Sequence, residues 1–418
     1  MRRKLRDWLK QLGPGLITGA ADDDPSGIAT YSQAGAQFGF QTLWTMLFTY
    51  PLMVGIQLIS ARIGRVTGHG LAWSIRKHFP MPVFYSIIFL LVVANTINIA
   101  ADIAAMGGAI VLLIGGPPHV YSISIGILCL LLQVFMSYKR YVRYLKWLTL
   151  ALFAYVAVVF TIEIPWADVA AHTVKPKFAF TSEYLTLIVA IFGTTISPYL
   201  FFWQASLEVE DLNADPAASA LAHAPEDAHK HLRRIKIDTY LGMGFSNLIA
   251  FFIILATAAT LNAAGITDIQ TAAQAAEALR PLAGDFTFAL FALGIIGTGL
   301  LAVPVLAGSA AYAVAESFQW QHGLDLKLVE AREFYAFIAV ATLGGVALNF
   351  SPIDPIKALF WTAVINGVIA VPIMVVMMLL ADDRKVMGDF TVTRRLKALG
   401  WLATGTMAAA VVAMLATW

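Results

Sequence analysis

Three consecutive carboxylates, Asp22, Asp23 and Asp24, stand before Pro25-Ser26-Gly27, between the apolar run GPGLITGAA and IATYSQAGAQFGFQTLW. A charged side chain near the centre of a bilayer costs from about 3 to more than 10 kcal/mol. Carboxylates placed there need a cation or a protein-enclosed aqueous cavity. Pro25 removes a backbone donor and Gly27 loosens the chain, so the segment reads as an interrupted helix. Irregular backbone at membrane depth is tolerated where it lines such a cavity. Freed carbonyls and a carboxylate then make a site of hard oxygen donors, suited to divalent cations such as Mg²⁺. A second interruption stands in IVAIFGTTISPYLFFWQ, where Pro198 lacks an amide, Ser197 can hydrogen-bond locally, and Tyr199 is a polar handle in an aromatic run. Asn95, Asn98 and Asp102 share one helix face by their i, i+3, i+7 spacing. Asp102 is a functional candidate as an intramembrane carboxylate, whereas both asparagines read as interhelical hydrogen-bonders or as lining of an ion path. Ser246, Asn247, Gln57 and Glu316 rank below these, with Glu316 expected at the cytoplasmic interface.

The elements that must carry these groups are membrane helices. Of 418 residues, 59% are hydrophobic and 13% charged, and mean hydropathy is +0.74, which marks an all-α integral membrane protein. Eleven spans are expected, near 11–40, 42–66, 81–115, 119–138, 142–165, 182–206, 237–263, 283–316, 332–350, 356–381 and 397–417. The basic start MRRKLRDWLK precedes a first membrane helix rather than a cleaved signal peptide, since no small-x-small site follows. With the N-terminus in the cytoplasm and the C-terminus outside, cytoplasmic segments hold 24 of the 28 Lys and Arg residues, the pattern expected of an inner (plasma) membrane protein. Lys175, Lys177, Arg280 and Lys357 are the exceptions. The net charge of +2 carries no nucleic-acid signal. Cys129, the single cysteine, reads as a small buried hydrophobe, and no intramolecular disulfide is possible.

One transmembrane domain is expected over 1–418. Residues 11–165 form a first five-helix repeat, 182–381 a second of opposite orientation, and 397–417 an extra helix. Each repeat opens on one of the two interrupted helices, the arrangement that points to a midplane substrate site in inverted-repeat transporters. The segment 262–285 reads as a short amphipathic external helix. His223, Glu226, Asp227, His229 and His231 read as an exposed cytoplasmic loop rather than a metal site. HExxH, GxSxG and P-loop motifs are absent from the sequence, which argues against an enzyme.

The residues resemble the Nramp divalent-metal transporters, a family with a LeuT-type fold. The resemblance is densest in GPGLITGAADDDPSGIATYSQAGAQFGFQTLW and QLISARIGRVTGHGL, and extends through NIAADIAAMGGAI, GTTISPYLFFWQAS and LLADDRKVMGDF. It implies that Asp24 and Pro25 match the D-P of the family's D-P-G-N motif, with Ser26 and Gly27 in place of Gly and Asn. At the second break the family's M-P-H is replaced by Ser197, Pro198 and Tyr199, and a ligating main-chain carbonyl falls on Thr194. Asp102 keeps the first acidic position of the family's proton route. Ala105 replaces the second, and Gln204 stands for a later His. Ala363, with Asn366 a turn away, takes the place of a site-facing Gln.

Loss of the thioether removes a ligand that favours soft transition metals, and a smaller Ser197 leaves room for a partly hydrated ion. The pattern is similar to the Nramp-related magnesium transporters. It implies an importer of Mg²⁺ and Mn²⁺ without strict proton coupling, a monomer in the lipid bilayer with no resident cofactor. The metal would be held by Asp24, Thr194, Ser197, Tyr199, Gly27 and Asp23, along a path with Asn98, Asp102, Asn366 and Gln204. Asp22 and Asp23 read either as extra carboxylates near the ion or as a solvated vestibule pair. Two alternatives are a proton-coupled Mn²⁺ or Fe²⁺ symporter of the same family and a sodium-coupled symporter for an organic solute.

Overall fold

Proline and aspartate decide where the first helix stops and restarts. The computed structural model describes residues 14–136, 148–214, 218–350 and 354–418. Within them α1 (Pro14–Asp22) ends just before Asp24, whose extended backbone (φ −73°, ψ 172°) caps α2 (Pro25–Phe38). The second interruption follows the same plan. Helix α9 (Ser182–Thr195) ends, Ser197 is extended (φ −77°, ψ 132°), and α10 (Pro198–Asn213) begins. Each restart places proline in the first turn, where its fixed φ suits the helix and its missing N–H is no loss. The first gap falls at Asp23–Asp24, so Ser26 and Gly27 are already helical.

Between the two broken helices run α3 (Trp44–Thr67), α4 (Leu71–His78), α5 (Met81–Ile114), α6 (Pro118–Phe135), α7 (Phe153–Val158) and α8 (Trp166–Val174). After them come α11 (Ala228–Thr257), α12 (Thr287–Phe318), α13 (Arg332–Leu348), α14 (Pro355–Asp382) and α15 (Arg394–Thr417). Eight stretches of the described residues are long and apolar enough to cross a membrane. Of the other three expected spans, 11–40 is divided by its break and 332–350 yields a 17-residue helix. Span 142–165 is described only from Leu148 onward. The basic N-terminus also lies outside the described residues.

Two boundaries differ from the sequence reading. Helix α11 starts at Ala228 rather than near 237, because AHKHLRRIKID continues the helix with polar residues. His229 and His231 therefore sit on a helix, and the expected open loop is shorter. Segment 262–285 forms short helical turns opened by a Thr271/Gln274 capping box.

Helix α5 is the hub, packed against α6, α12, α13 and α14, while α11 packs on α1, α2 and α3. Helices α9 and α14 cross where a Cβ on Gly193 would lie 2.0 Å from the Ala363 carbonyl oxygen. Helices α1 and α11 cross at Gly19 and Gly242 in the same way. Small residues give membrane helices the close contact that apolar driving force does not supply in lipid. The exterior is apolar, with Phe89, Phe135, Val340 and Val412 exposed, and the polar side chains Asp24, Asn98, Asp102 and Gln204 are buried. That distribution suits a lipid surround. Cys129 is buried and unpaired.

Candidate metal site

In an α-helix the carbonyl of residue i accepts from the amide of i+4. Pro25 and Pro198 have no amide, so the Ala21 and Thr194 carbonyls lose that partner. Each is met instead by a hydroxyl from the second break. Tyr199 Oη donates to the Ala21 oxygen at 3.3 Å, and Ser197 Oγ lies 2.7 Å from the Thr194 oxygen and 2.9 Å from that of Gly193. A carbonyl carries two lone pairs, so both oxygens keep capacity for a further partner. Tyr199 thus couples the two interruptions. Further ties are Tyr31 Oη to Thr195 Oγ1 at 3.0 Å and Thr18 Oγ1 to Gln204 Oε1 at 2.5 Å.

Asp24 lies at this junction, 1% exposed. Its Oδ1 accepts from Ser26 Oγ at 2.6 Å and from the Gly27 amide at 2.7 Å. Its Oδ2 accepts from Asn98 Nδ2 at 3.2 Å. The same Asn98 amide reaches Asp102 Oδ2 at 3.2 Å, and Asn366 Nδ2 donates to Asn98 Oδ1 at 3.1 Å. The structure therefore brings Asp24, Asn98, Asp102 and Asn366 into one chain of contacts across α2, α5 and α14. Gly27 has no side chain, and its amide serves Asp24. Gln204 ties α10 to α1. Ala363 lies at the α9–α14 crossing. Asn95 spans to α12, donating to Leu306 O and Ser309 Oγ.

Asp22 and Asp23 are 1% and 2% exposed, which corrects the solvated-pair expectation. Both face Ser246 of α11, whose hydroxyl hydrogen-bonds to Asp22 Oδ2 and lies 3.1 Å from Asp23 Oδ1. One hydroxyl proton serves one carboxylate at a time, and Asp22 Oδ1 has no partner among the described residues. Glu316, two residues from the end of α12, is buried and accepts from the Trp73 amide at 3.0 Å.

No basic side chain pairs with Asp22, Asp23, Asp24 or Asp102 among the described residues, and no three Asp, Glu, His or Cys side chains converge as a metal cage. The junction therefore offers one carboxylate face and two main-chain oxygens in a field that attracts cations. The Ala21 carbonyl is not among the residues expected from sequence, although a proline four residues later is the signal for it.

The two sides of the junction differ. Alongside α2 a cavity of about 580 Å³ is lined by Ala29, Gln33, Glu183, Asp268, Lys357 and Trp418, and Ala29 is one turn from Pro25. At the opposite ends of α3, α10 and α11, Arg234 meets Glu208 at 2.5 Å and Asp211 at 3.2 Å, and Arg65 lies 3.6 Å from Asp211. Asp238 accepts from the Gly15 amide at 2.7 Å, fastening the start of α1. Arg65, Glu208 and Asp238 are buried, so this end is closed.

A family model described as natural resistance-associated macrophage protein-like matches residues 15–417. A variant of the Eremococcus coleocola manganese transporter superposes with a TM-score of 0.75 at 18% identity, covering 98% of this chain and 87% of that one. The same transporter in complex with an aromatic bis-isothiourea substituted compound gives 0.73 at 18% identity and the same coverage. Mhp1, a nucleobase-cation-symport-1 family transporter in a closed conformation with bromovinylhydantoin bound, gives 0.61 at 13%, covering 97% and 92%. These likenesses establish the fold. The chain is a multi-pass membrane protein and belongs to the natural resistance-associated macrophage protein-like (Nramp) family of transporters.

Proposed function

We propose that the chain imports divalent cations, Mg²⁺ and Mn²⁺ among them, by alternating access around the junction of its two broken helices. The observation that carries this is the joining of the two breaks by the Tyr199–Ala21 contact, with the Asp24 carboxylate at the first break and, at the two breaks, the Ala21 and Thr194 carbonyls that lack a helix amide. Three protein oxygens fill about half of an octahedral shell, leaving about three positions for water, as suits an ion that dehydrates reluctantly. Ser197 brings no sulfur, so the soft-metal preference of a thioether is missing. These features favour the magnesium-transporting branch of the family. Asp23, Tyr199 and Gly27 act in the surrounding shell through hydroxyl, carboxylate or amide contacts, with Asn98, Asp102, Asn366 and Gln204 along the path.

The same reading takes the fold as LeuT-type, with eleven spans and inverted repeats over 11–165 and 182–381. The packing supports this. Helix α3 packs on α10 as α11 does on α2, α5 packs on α14 as α12 does on Leu148–Leu152, and α5 and α12 pack on each other. A twofold relation between halves exchanges the members of these pairs. With Asp24, Thr194 and Asn98 at most 1% exposed, the junction fits an occluded state of a monomer in the inner (plasma) membrane, N-terminus inside. Transport is driven by the membrane potential, about 2.3 kcal/mol per charge at 100 mV.

The link from Asp24 through Asn98 to Asp102 favours a second reading, a proton-coupled Mn²⁺ or Fe²⁺ symporter. Competition of Mg²⁺, Ca²⁺ and Zn²⁺ against Mn²⁺ uptake in proteoliposomes, with and without a pH gradient, separates the two. The first reading expects competition by millimolar Mg²⁺ and no lumenal acidification. Acidification that tracks uptake, with weak Mg²⁺ competition, overturns it.

A further inference from the structure

Helices α11 and α15 both lean on α3 and leave a groove of about 650 Å³. Four cationic side chains line it: Arg62 of α3, Arg233 and Lys236 of α11, and Arg395 of α15, and no carboxylate is among its lining residues. Three of the four have distinct situations. Arg233 and Arg395 are exposed and stand in no ion pair among the described residues. Arg62 instead holds the chain between α14 and α15, donating to the carbonyls of Phe390 at 2.8 Å and Thr391 at 3.1 Å. It forms a fixed floor.

The rest of the lining is apolar. Leu58, Leu232 and Leu399 are half-buried walls, and Leu241 and Leu402 continue an exposed apolar surface along α11 and α15. The groove also meets the start of α15, where Thr393 caps the helix. First-turn amides of a 24-residue helix are left without intrahelical acceptors and carry its positive dipole end. Positive charge, helix amides and an apolar continuation toward the bilayer are thus stacked in one place.

We propose that this groove binds an anionic phospholipid of the cytoplasmic leaflet, its phosphate against Arg233, Lys236 and Arg395 and its acyl chains along the leucine walls. Basic pockets between membrane helices on this side suit acidic headgroups. A soluble phosphate would use the cations and leave the leucines bare. The occupant therefore has both parts. The proposal rests on the orientation given above and is independent of the ion carried.

The test is native mass spectrometry of the full-length protein in detergent, titrated separately with phosphatidylglycerol, cardiolipin and phosphatidylcholine. Wild type retains the two anionic lipids in preference to phosphatidylcholine. Arg233→Gln/Lys236→Gln/Arg395→Gln lowers their apparent affinity roughly a hundredfold, from about fivefold for each charge removed, and leaves phosphatidylcholine unchanged. Arg62 is spared because it holds the α14–α15 connection. If the triple variant does not purify, Arg395→Glu alone gives the same reading with at least about a fivefold loss. Equal retention of all three lipids, undiminished binding in the variants, or saturation by inorganic phosphate with no lipid preference overturns the proposal.

Discussion

Replacing Pro198 with alanine tests whether the second break is what frees the Thr194 carbonyl. In a continuous helix a proline at this position costs about 3 kcal/mol. Alanine removes that penalty, which already counts the missing amide bond to the Thr194 oxygen, so the balance between interrupted and continuous forms moves by about 3 kcal/mol toward the continuous one. Three contacts still favour the interrupted form: Tyr31 with Thr195, Ser197 with Thr194, and Tyr199 with Ala21. At about 1 kcal/mol each they outweigh the one regained amide bond, worth about 1 kcal/mol, by about 2 kcal/mol. The interrupted form therefore stays ahead in Pro198→Ala alone. Adding Tyr31→Phe and Tyr199→Phe removes two of the contacts, levels the two forms, and lowers apparent ion affinity about twofold through the smaller competent fraction. Isothermal titration of Mn²⁺ into purified protein reads this directly. Pro51→Ala is the control, since Pro51 lies inside the uninterrupted α3. Unchanged Mn²⁺ affinity in the triple variant, a full loss already in Pro198→Ala alone, or an equal loss in Pro51→Ala refutes the reasoning.

Asp24→Asn keeps the side-chain shape but removes the charge and turns a donor toward the ion. It is expected to cut Mn²⁺ uptake in proteoliposomes by about a hundredfold or more, the loss of a charged partner at about 3 kcal/mol. Ser197→Met sets a thioether beside Thr194 and is expected to raise Cd²⁺ uptake and weaken Mg²⁺ competition about tenfold, read in a competition series. Gly193→Ala forces a methyl to within 2.0 Å of the Ala363 oxygen and 2.4 Å of the Gly367 nitrogen. Overpacking of this kind costs about 1–3 kcal/mol, so the melting midpoint in detergent should fall and uptake with it.

The interruptions were legible because their cause is local. A proline and a capping aspartate state the break in six residues, and the face shared by Asn98 and Asp102 follows from helix period alone. What joins these pieces was not legible. Ser246 lies more than 220 positions from the carboxylates it meets, and only the α1–α11 crossing at Gly19 and Gly242 brings them together. Arg65 falls at the end of the expected span 42–66, where nothing local announces a partner, yet it is 1% exposed and faces Asp211. Glu208 and Arg234 lie in polar sequence that gave no periodic signal, and they pair across the ends of α10 and α11. The helical start of α11 escaped for the same reason, because apolar runs mark the lipid-facing part of a helix and are silent about its solvated turns.

The central claim concerns where the ion sits. Anomalous scattering from Mn²⁺ in crystals of the protein, collected alongside Asp24→Asn, locates it most directly. The expected result is one peak in coordination contact with the Asp24 carboxylate and the Ala21 and Thr194 carbonyls, lost in the variant. A peak held instead between Ser246 and the Asp22–Asp23 pair, or one that survives in Asp24→Asn, contradicts the account.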